Sequence, residues 1–181
     1  MSRGAPAPVI PARLTVEDLA AAIGVDPQAV SAALDEREEP SAPDDLVSGD
    51  LAASVAAELG VEVTVEPRDL ALEYLYEMET SGEWGDLPAG RVGRIIEGVV
   101  AGLDDLDEMI ENVSEHWSVS RMPLVDRNVL RIALFELRED PETPIGVIVS
   151  EAVRLAATYS TERSGSFVNG VLATLARDVR G

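Results

Sequence analysis

The sequence contains no cysteine, no lysine and a single histidine, His116. Without cysteine there is no disulfide framework, no thiolate zinc site and no cysteine nucleophile. One histidine argues against a histidine-built metal site or a catalytic triad, so no metal or cofactor is expected. Aromatic residues are scarce: two tryptophans, three tyrosines and two phenylalanines in 181 residues. No apolar run approaches the roughly 20 residues needed to span a bilayer. The opening MSRGAPAPVIPARL lacks the apolar core of a secretory signal. These absences predict a soluble, cytoplasmic protein with no membrane partner. The length suits one domain, or one with a small satellite, and needs no covalent staple.

What the chain has in excess is acid. Fourteen basic residues, all arginine, face 34 Asp and Glu, for a formal charge of −20. Phosphate binding is built mainly from Lys and Arg, so this balance argues against nucleic acid on its own. It favours a basic protein partner or a heavily solvated surface. Two segments separate by composition. Up to Glu66 there are three arginines and thirteen acids, a net −10; from Pro67 onward eleven arginines and twenty-one acids again give −10. All the aromatic residues lie in the second segment.

Apolar positions recur at helical spacing, so the fold class is all-α. In the first segment Thr15 and Asp18 form a capping-box pair ahead of an apolar helix, and Gly24 ends it. Asp26 and Pro27 start a second helix, and LAASVAAELG reads as a third, followed by an extended VEVTVEP. A helix–turn–helix of this kind invites a DNA-binding reading, but Asp26, Gln28, Ala29, Ser31 and Ala32 open its second helix with no cation. The second segment carries about six helical stretches. These are Arg68 to Glu79, a helix opened by Pro88, one led by Asp104 and Asp105 towards Trp117, then Leu124 to Leu137, Ile145 to Tyr159 and Ser164 to Val179.

Two resemblances emerge from these motifs. TVEDLAAAIGV and LAASVAAELGVEVTV are similar to the small N-terminal domain of bacterial translation initiation factor two. Where that family has a glycine and an apolar strand, this chain has EREEPSAPDDLVS. Residues 1–13 are expected to be a flexible N-terminus, and the resemblance implies a small helical interaction domain at 14–66 with no catalytic residue. Further on, VDRNVLRIALFEL and PIGVIVSEAVRLAATYSTERSGSFVNGVLATLAR resemble the NusB family of transcription antitermination factors. Arg131, Glu136, Pro144, Glu151, Ala152, Phe167, Val168, Asn169 and Gly170 match its pattern. Upstream, RDLALEYLYEME matches the family's first helix through Arg68, Ala71, Leu75 and Tyr76.

This second resemblance implies an antitermination domain at residues 67–181, a NusB-like bundle of about six helices preceded by the small helical domain. It implies an adaptor, not an enzyme. Its partners would be the boxA RNA of nascent ribosomal transcripts, the basic ribosomal protein NusE and the transcription elongation complex. By the same resemblance Arg68, Tyr76, Arg163, Phe167 and Asn169 would meet RNA, and Asp126 would face NusE. Phe167 reads either as a core aromatic or as a platform for an unpaired base, and Asn169 as reading a base edge or tying down a loop carbonyl. Gly170 is expected to allow close helix packing. Arg131 and Glu136 are not i,i+4 partners, so each should bond elsewhere.

The chain also departs from the family. Where the family keeps an arginine cluster before its first helix, this chain has Thr64, Val65 and Glu66, with Arg68 alone remaining. Arg163 restores one cation; Arg91 and Arg94 offer others, or form ordinary ion pairs. The alternative is therefore a NusB-fold protein-interaction module that has lost most direct RNA binding. A ribosomal RNA methyltransferase bearing such a module is set aside, since it needs a nucleophilic cysteine and a following α/β domain.

Overall fold

A computed structural model describes residues 7–83, 85–114 and 117–181. Residues 1–6 and His116 lie outside this description. The described residues divide into two compact units, one ending at Leu70 and the other beginning at Ala71.

Among the described residues the first unit has strand from Val9, within the 1–13 segment expected to be flexible. Strand β1 (Val9–Ile10) pairs in parallel with β4 (Thr64–Val65), in the register Val9 to Thr64 and Ile10 to Val65. Strand β2 (Arg13–Thr15) pairs antiparallel with β3 (Leu46–Ser48). The prolines around β1 suggest a loop, but they cost only donors. The ladder uses carbonyls there: Pro8 O accepts from Thr64 N at 2.8 Å and Ile10 O from Glu66 N at 2.7 Å. Ile10, Ala12 and Leu14 turn inward in alternation.

Three helices close this unit: α1 (Val16–Ile23), α2 (Pro27–Asp35) and α3 (Gly49–Glu58). Thr15 Oγ1 accepts from Asp18 N at 3.1 Å and donates to the Asp18 carboxylate at 2.8 Å, closing the cap at both ends. Gly24 ends α1 at φ 71°, a left-handed conformation that only glycine adopts cheaply. Asp26 caps α2, its carboxylate accepting from Gln28 N at 2.8 Å. The core is small and aliphatic: Leu19, Ala20, Val30, Leu34, Ala52, Val55 and Ala56 are all sealed from water.

Helix α4 (Pro67–Ser81) runs across the division between the units. The second unit continues with α5 (Arg91–Ala101), α6 (Leu103–Val113), a 3-10 turn at Val119–Arg121, α7 (Leu124–Glu139), α8 (Ile145–Tyr159) and α9 (Ser164–Arg180). Pro88, expected to open α5, lies ahead of it. Pro123 and Pro144 sit just before α7 and α8, where a missing N–H leaves nothing unbonded. Helix α7 is the axis of the unit and packs against α5, α6, α8 and α9. It is therefore buried around most of its circumference, through Val129, Leu130, Ile132, Leu134 and Leu137.

A buried helix carrying Asp126, Asn128, Arg131 and Glu136 must supply partners for its polar atoms. The Arg131 guanidinium meets Asp107 at 2.7 Å through both Nε and Nη2, and Glu79 at 2.7 Å. Glu136 accepts from Arg91 at 2.6 Å. Arg180, near the chain end, donates to the carbonyls of Glu136, Leu137, Asp140 and Thr143 at 2.5–2.8 Å. One cation thus binds carbonyls of the last turn of α7 and of the segment just after it, where the helix dipole favours positive charge.

The close-packing role expected of Gly170 falls to a different glycine. A Cβ added at Gly170 meets nothing within 4 Å, so that glycine serves no close packing. A Cβ at Gly98 in α5 falls 2.0 Å from the Phe135 ring. The close approach is between α5 and α7.

Candidate nucleic-acid interface

The residues expected at RNA and at a partner lie on α4, on α7 and at the start of α9, and their exposure sorts them. Arg68, in the first turn of α4, is only 8% exposed. Its guanidinium lies 3.1 Å from Glu66 Oε1, so the expected solvent-facing cation is buried and engaged within the first unit. The acid that replaces the family's arginine cluster reads in sequence as a lost contact. In the fold it is also a neutralising partner.

Tyr76, a little over two turns further along α4, is 44% exposed. Arg163 is exposed at the N-terminal end of α9 and forms no ion pair among the described residues. Its carbonyl accepts from Phe167 N at 3.2 Å, so the two residues stack one turn apart on one face. Phe167 is half-buried, between its two expected roles. Asn169 is exposed, but two residues on a helix stand about 160° apart, so it does not share the face of Phe167.

Asp126 departs most from expectation. A direct handle for a partner should be exposed, yet Asp126 is 3% exposed. Its Oδ2 accepts from Ser164 Oγ at 2.9 Å, and Thr161 N donates to the same Ser164 oxygen at 3.2 Å. The carboxylate thereby ties the N-terminus of α7 to the turn that leads into α9. Its Oδ1 is buried and accepts no hydrogen bond among the described residues.

Sequence reasoning missed Trp117. Its ring centroid lies 6.4 Å from that of Phe167, at an interplanar angle of 54°. The turn beneath it is held by Glu111, whose Oε1 accepts from Ser118 Oγ and from Val119 N, each at 2.8 Å. Those two bonds, the hydroxyl's first, hold the Glu111 carboxyl below the usual glutamate range. The available signal was a large aromatic placed after the apolar stripe of its helix had ended at Val113.

Arg91 and Arg94 part company. Arg91 pairs with Glu136 at 2.6 Å and Asp140 at 3.3 Å, the ordinary ion-pair outcome. Arg94 forms no ion pair among the described residues and lines a groove of about 720 Å³ between α5, α6 and α7. That groove is floored by Ile95, Leu106 and Phe135 and bordered by charges of both signs, and it contains none of the expected RNA residues. Arg131 is structural. Burial opposes its charge, but the bonds and charges of Asp107 and Glu79 outweigh that and raise its pKa above the ordinary arginine value.

Among the described residues no group of His, Cys, Asp and Glu is arranged to hold a metal ion, and no helix is long and apolar enough to cross a membrane. What this arrangement defines is a mostly helical bundle of NusB type. A solved structure of NusB from T. maritima superposes with a TM-score of 0.57 and 32% sequence identity, covering 62% of this chain and 89% of that one. The chain belongs to the NusB family, whose family model matches residues 65–177.

A transcription antitermination protein NusB from Sorangium cellulosum is 40% identical over 126 residues, spanning 62% of this chain and 90% of that protein. Proteins of the same name from Clavibacter are matched over 60% of their length. A second solved structure, of antitermination factors NusB and NusE in complex with double-stranded RNA, aligns with a TM-score of 0.50 at 26% identity. It covers 62% of this chain and 94% of that one.

Proposed function

We propose that this chain is a transcription antitermination adaptor that binds the boxA RNA of nascent ribosomal transcripts together with the ribosomal protein NusE. It would act without catalysis, in the cytoplasm, on the transcription elongation complex. The observation that carries this reading is the family match across residues 65–177, allied to a fold that aligns with NusB in a NusE and RNA complex. The surface at the start of α9 supports it: an uncommitted cation, Arg163, one turn from Phe167. Tyr76, exposed on α4, and Asn169, on another face of α9, are proposed as further RNA contacts. Asp126 is proposed to serve the NusE surface from beneath, by fixing the turn at Ser164. Residues 67–181 are assigned as the antitermination domain. Residues 14–66 are assigned as a small interaction domain similar to that of initiation factor two.

The second reading, a protein-interaction module with little direct RNA binding, is favoured by the burial of Arg68 against Glu66. A titration of boxA RNA with and without NusE, between about 50 and 300 mM salt, separates the two. The adaptor reading expects RNA to be retained when NusE is present. It also expects a shallow salt dependence, near −0.7 in log affinity per phosphate contact. Absence of binding at the lowest salt with NusE present leaves only the interaction module.

A further inference from the structure

We propose that Trp117 forms the outer wall of a two-ring stacking surface with Phe167, on which one unpaired base of the RNA rests. The inference depends on the adaptor reading and adds to it a residue that no motif supplied.

The first observation is a large apolar ring left in water. Trp117 is 55% exposed although burying it would be favourable, and the turn that carries it is well held. Glu111 fixes Ser118 and Val119, Trp117 N donates to Ser114 O at 2.9 Å, and Val119 and Met122 are buried just beyond. The backbone is anchored on both sides while the ring stays out. The second observation is its neighbour. Among the described residues the Trp117–Phe167 contact is the one aromatic pair, and its 54° tilt leaves the rings unstacked on each other. The third is charge. Arg163, exposed and without an ion pair among the described residues, stands one turn before Phe167 on the same helix.

A π face beside an uncommitted guanidinium matches a nucleotide, with the base on the rings and the phosphate at the cation. It suits an unpaired base, because a base inside a duplex has no free face to offer. Trp117 is the more exposed of the two rings and Phe167 the partly buried one, so a base would lie on the Trp117 face with Phe167 at its edge.

Fluorescence and substitution in the full chain test the proposal. Trp84→Phe leaves Trp117 as the sole tryptophan. A short unpaired boxA oligoribonucleotide, added with NusE, quenches its emission with the midpoint found from the anisotropy of labelled RNA. The duplex of the same sequence leaves the emission unchanged. Trp117→Ala weakens RNA binding roughly 5- to 150-fold, the range for one stacked base. Trp117→Phe, which keeps a ring, stays within about 3-fold. NusE affinity is the same in all three chains.

RNA binding that is unchanged in Trp117→Ala, or that proceeds without quenching, overturns this inference and leaves the adaptor reading standing. Equal quenching by the duplex, or loss of NusE affinity in Trp117→Ala, overturns it too. If the unsubstituted chain with NusE binds no RNA at all, the adaptor reading falls and this proposal with it.

Discussion

Single residues show how far a motif can be read without its partners. Arg131 and Glu136 were legible as groups that must bond away from each other. Their partners, Asp107, Glu79 and Arg91, lie 24 to 52 residues away in sequence and belong to other helices. No local spacing reports such contacts. Gly170 and Gly98 show the same limit: both are glycines inside helices, and only the neighbouring helix decides which one is pressed. Gly98 is the pressed one, with the Phe135 ring where its Cβ would be. Gly98→Ala gains about 1 kcal/mol of helix propensity. Against that stands an overlap at 2.0 Å with a ring on the central helix, and overpacking of this kind costs about 1–3 kcal/mol. The overlap is the larger effect, so urea denaturation should show a net loss of up to about 2 kcal/mol. Adding Phe135→Leu should recover most of it. An unchanged midpoint for Gly98→Ala would mean that the ring yields freely.

At the scale of elements, helix caps were the most legible features and short strands the least. Thr15, Asp18, Gly24, Asp26 and Pro27 each carry a local hydrogen-bonding or dihedral reason for their place, so α1 and α2 followed from the sequence. Strand β4 falls inside the VEVTVEP that reads as extended, but its partner β1 is two residues long and more than 50 positions away, a pairing that periodicity does not resolve. The face of α9 was legible in principle, because Phe167 and Asn169 are two residues apart and a helix separates them by about 160°.

The turn after α6 carries its own prediction. Glu111 has its carboxyl pKa depressed by the Ser118 hydroxyl and then by the Val119 N–H. A group whose folded pKa is depressed stabilises fully above its ordinary value and loses that contribution as pH falls through the lowered one. The Trp117 turn should therefore hold at neutral pH and loosen only below about pH 4.5. In a Trp84→Phe chain the Trp117 emission should shift in that acid range while far-ultraviolet helicity persists. Glu111→Ala should show the shifted emission already at pH 7. Emission independent of both acid and Glu111 would detach the turn from this carboxylate.

The whole molecule is set by its charge, and the question is whether the acid of the first segment acts locally or through its field. Glu66 suggests a local clamp on Arg68, at 3.1 Å. Arg68, however, is 8% exposed and belongs to the first unit, which extends to Leu70. Removing the carboxylate alone does not bring that guanidinium into water. Glu66→Gln should therefore leave RNA affinity within about 2-fold, since the guanidinium stays buried and cannot reach a phosphate. Deleting residues 1–66 removes a net −10 together with Glu66 and most of the unit to which Arg68 belongs. The shortened chain should bind RNA faster at about 50 mM salt. Near 300 mM its advantage should shrink, because screening confines the lost repulsion to less than about 8 Å. Its slope of log affinity against log salt should steepen by about 0.7, one phosphate contact, and Arg68→Ala in the shortened chain should cancel that increment. A faster association with no change of slope would assign the effect to the field alone. If Glu66→Gln by itself reproduced the steeper slope, the clamp would be the control, and burial would not be what keeps Arg68 from RNA.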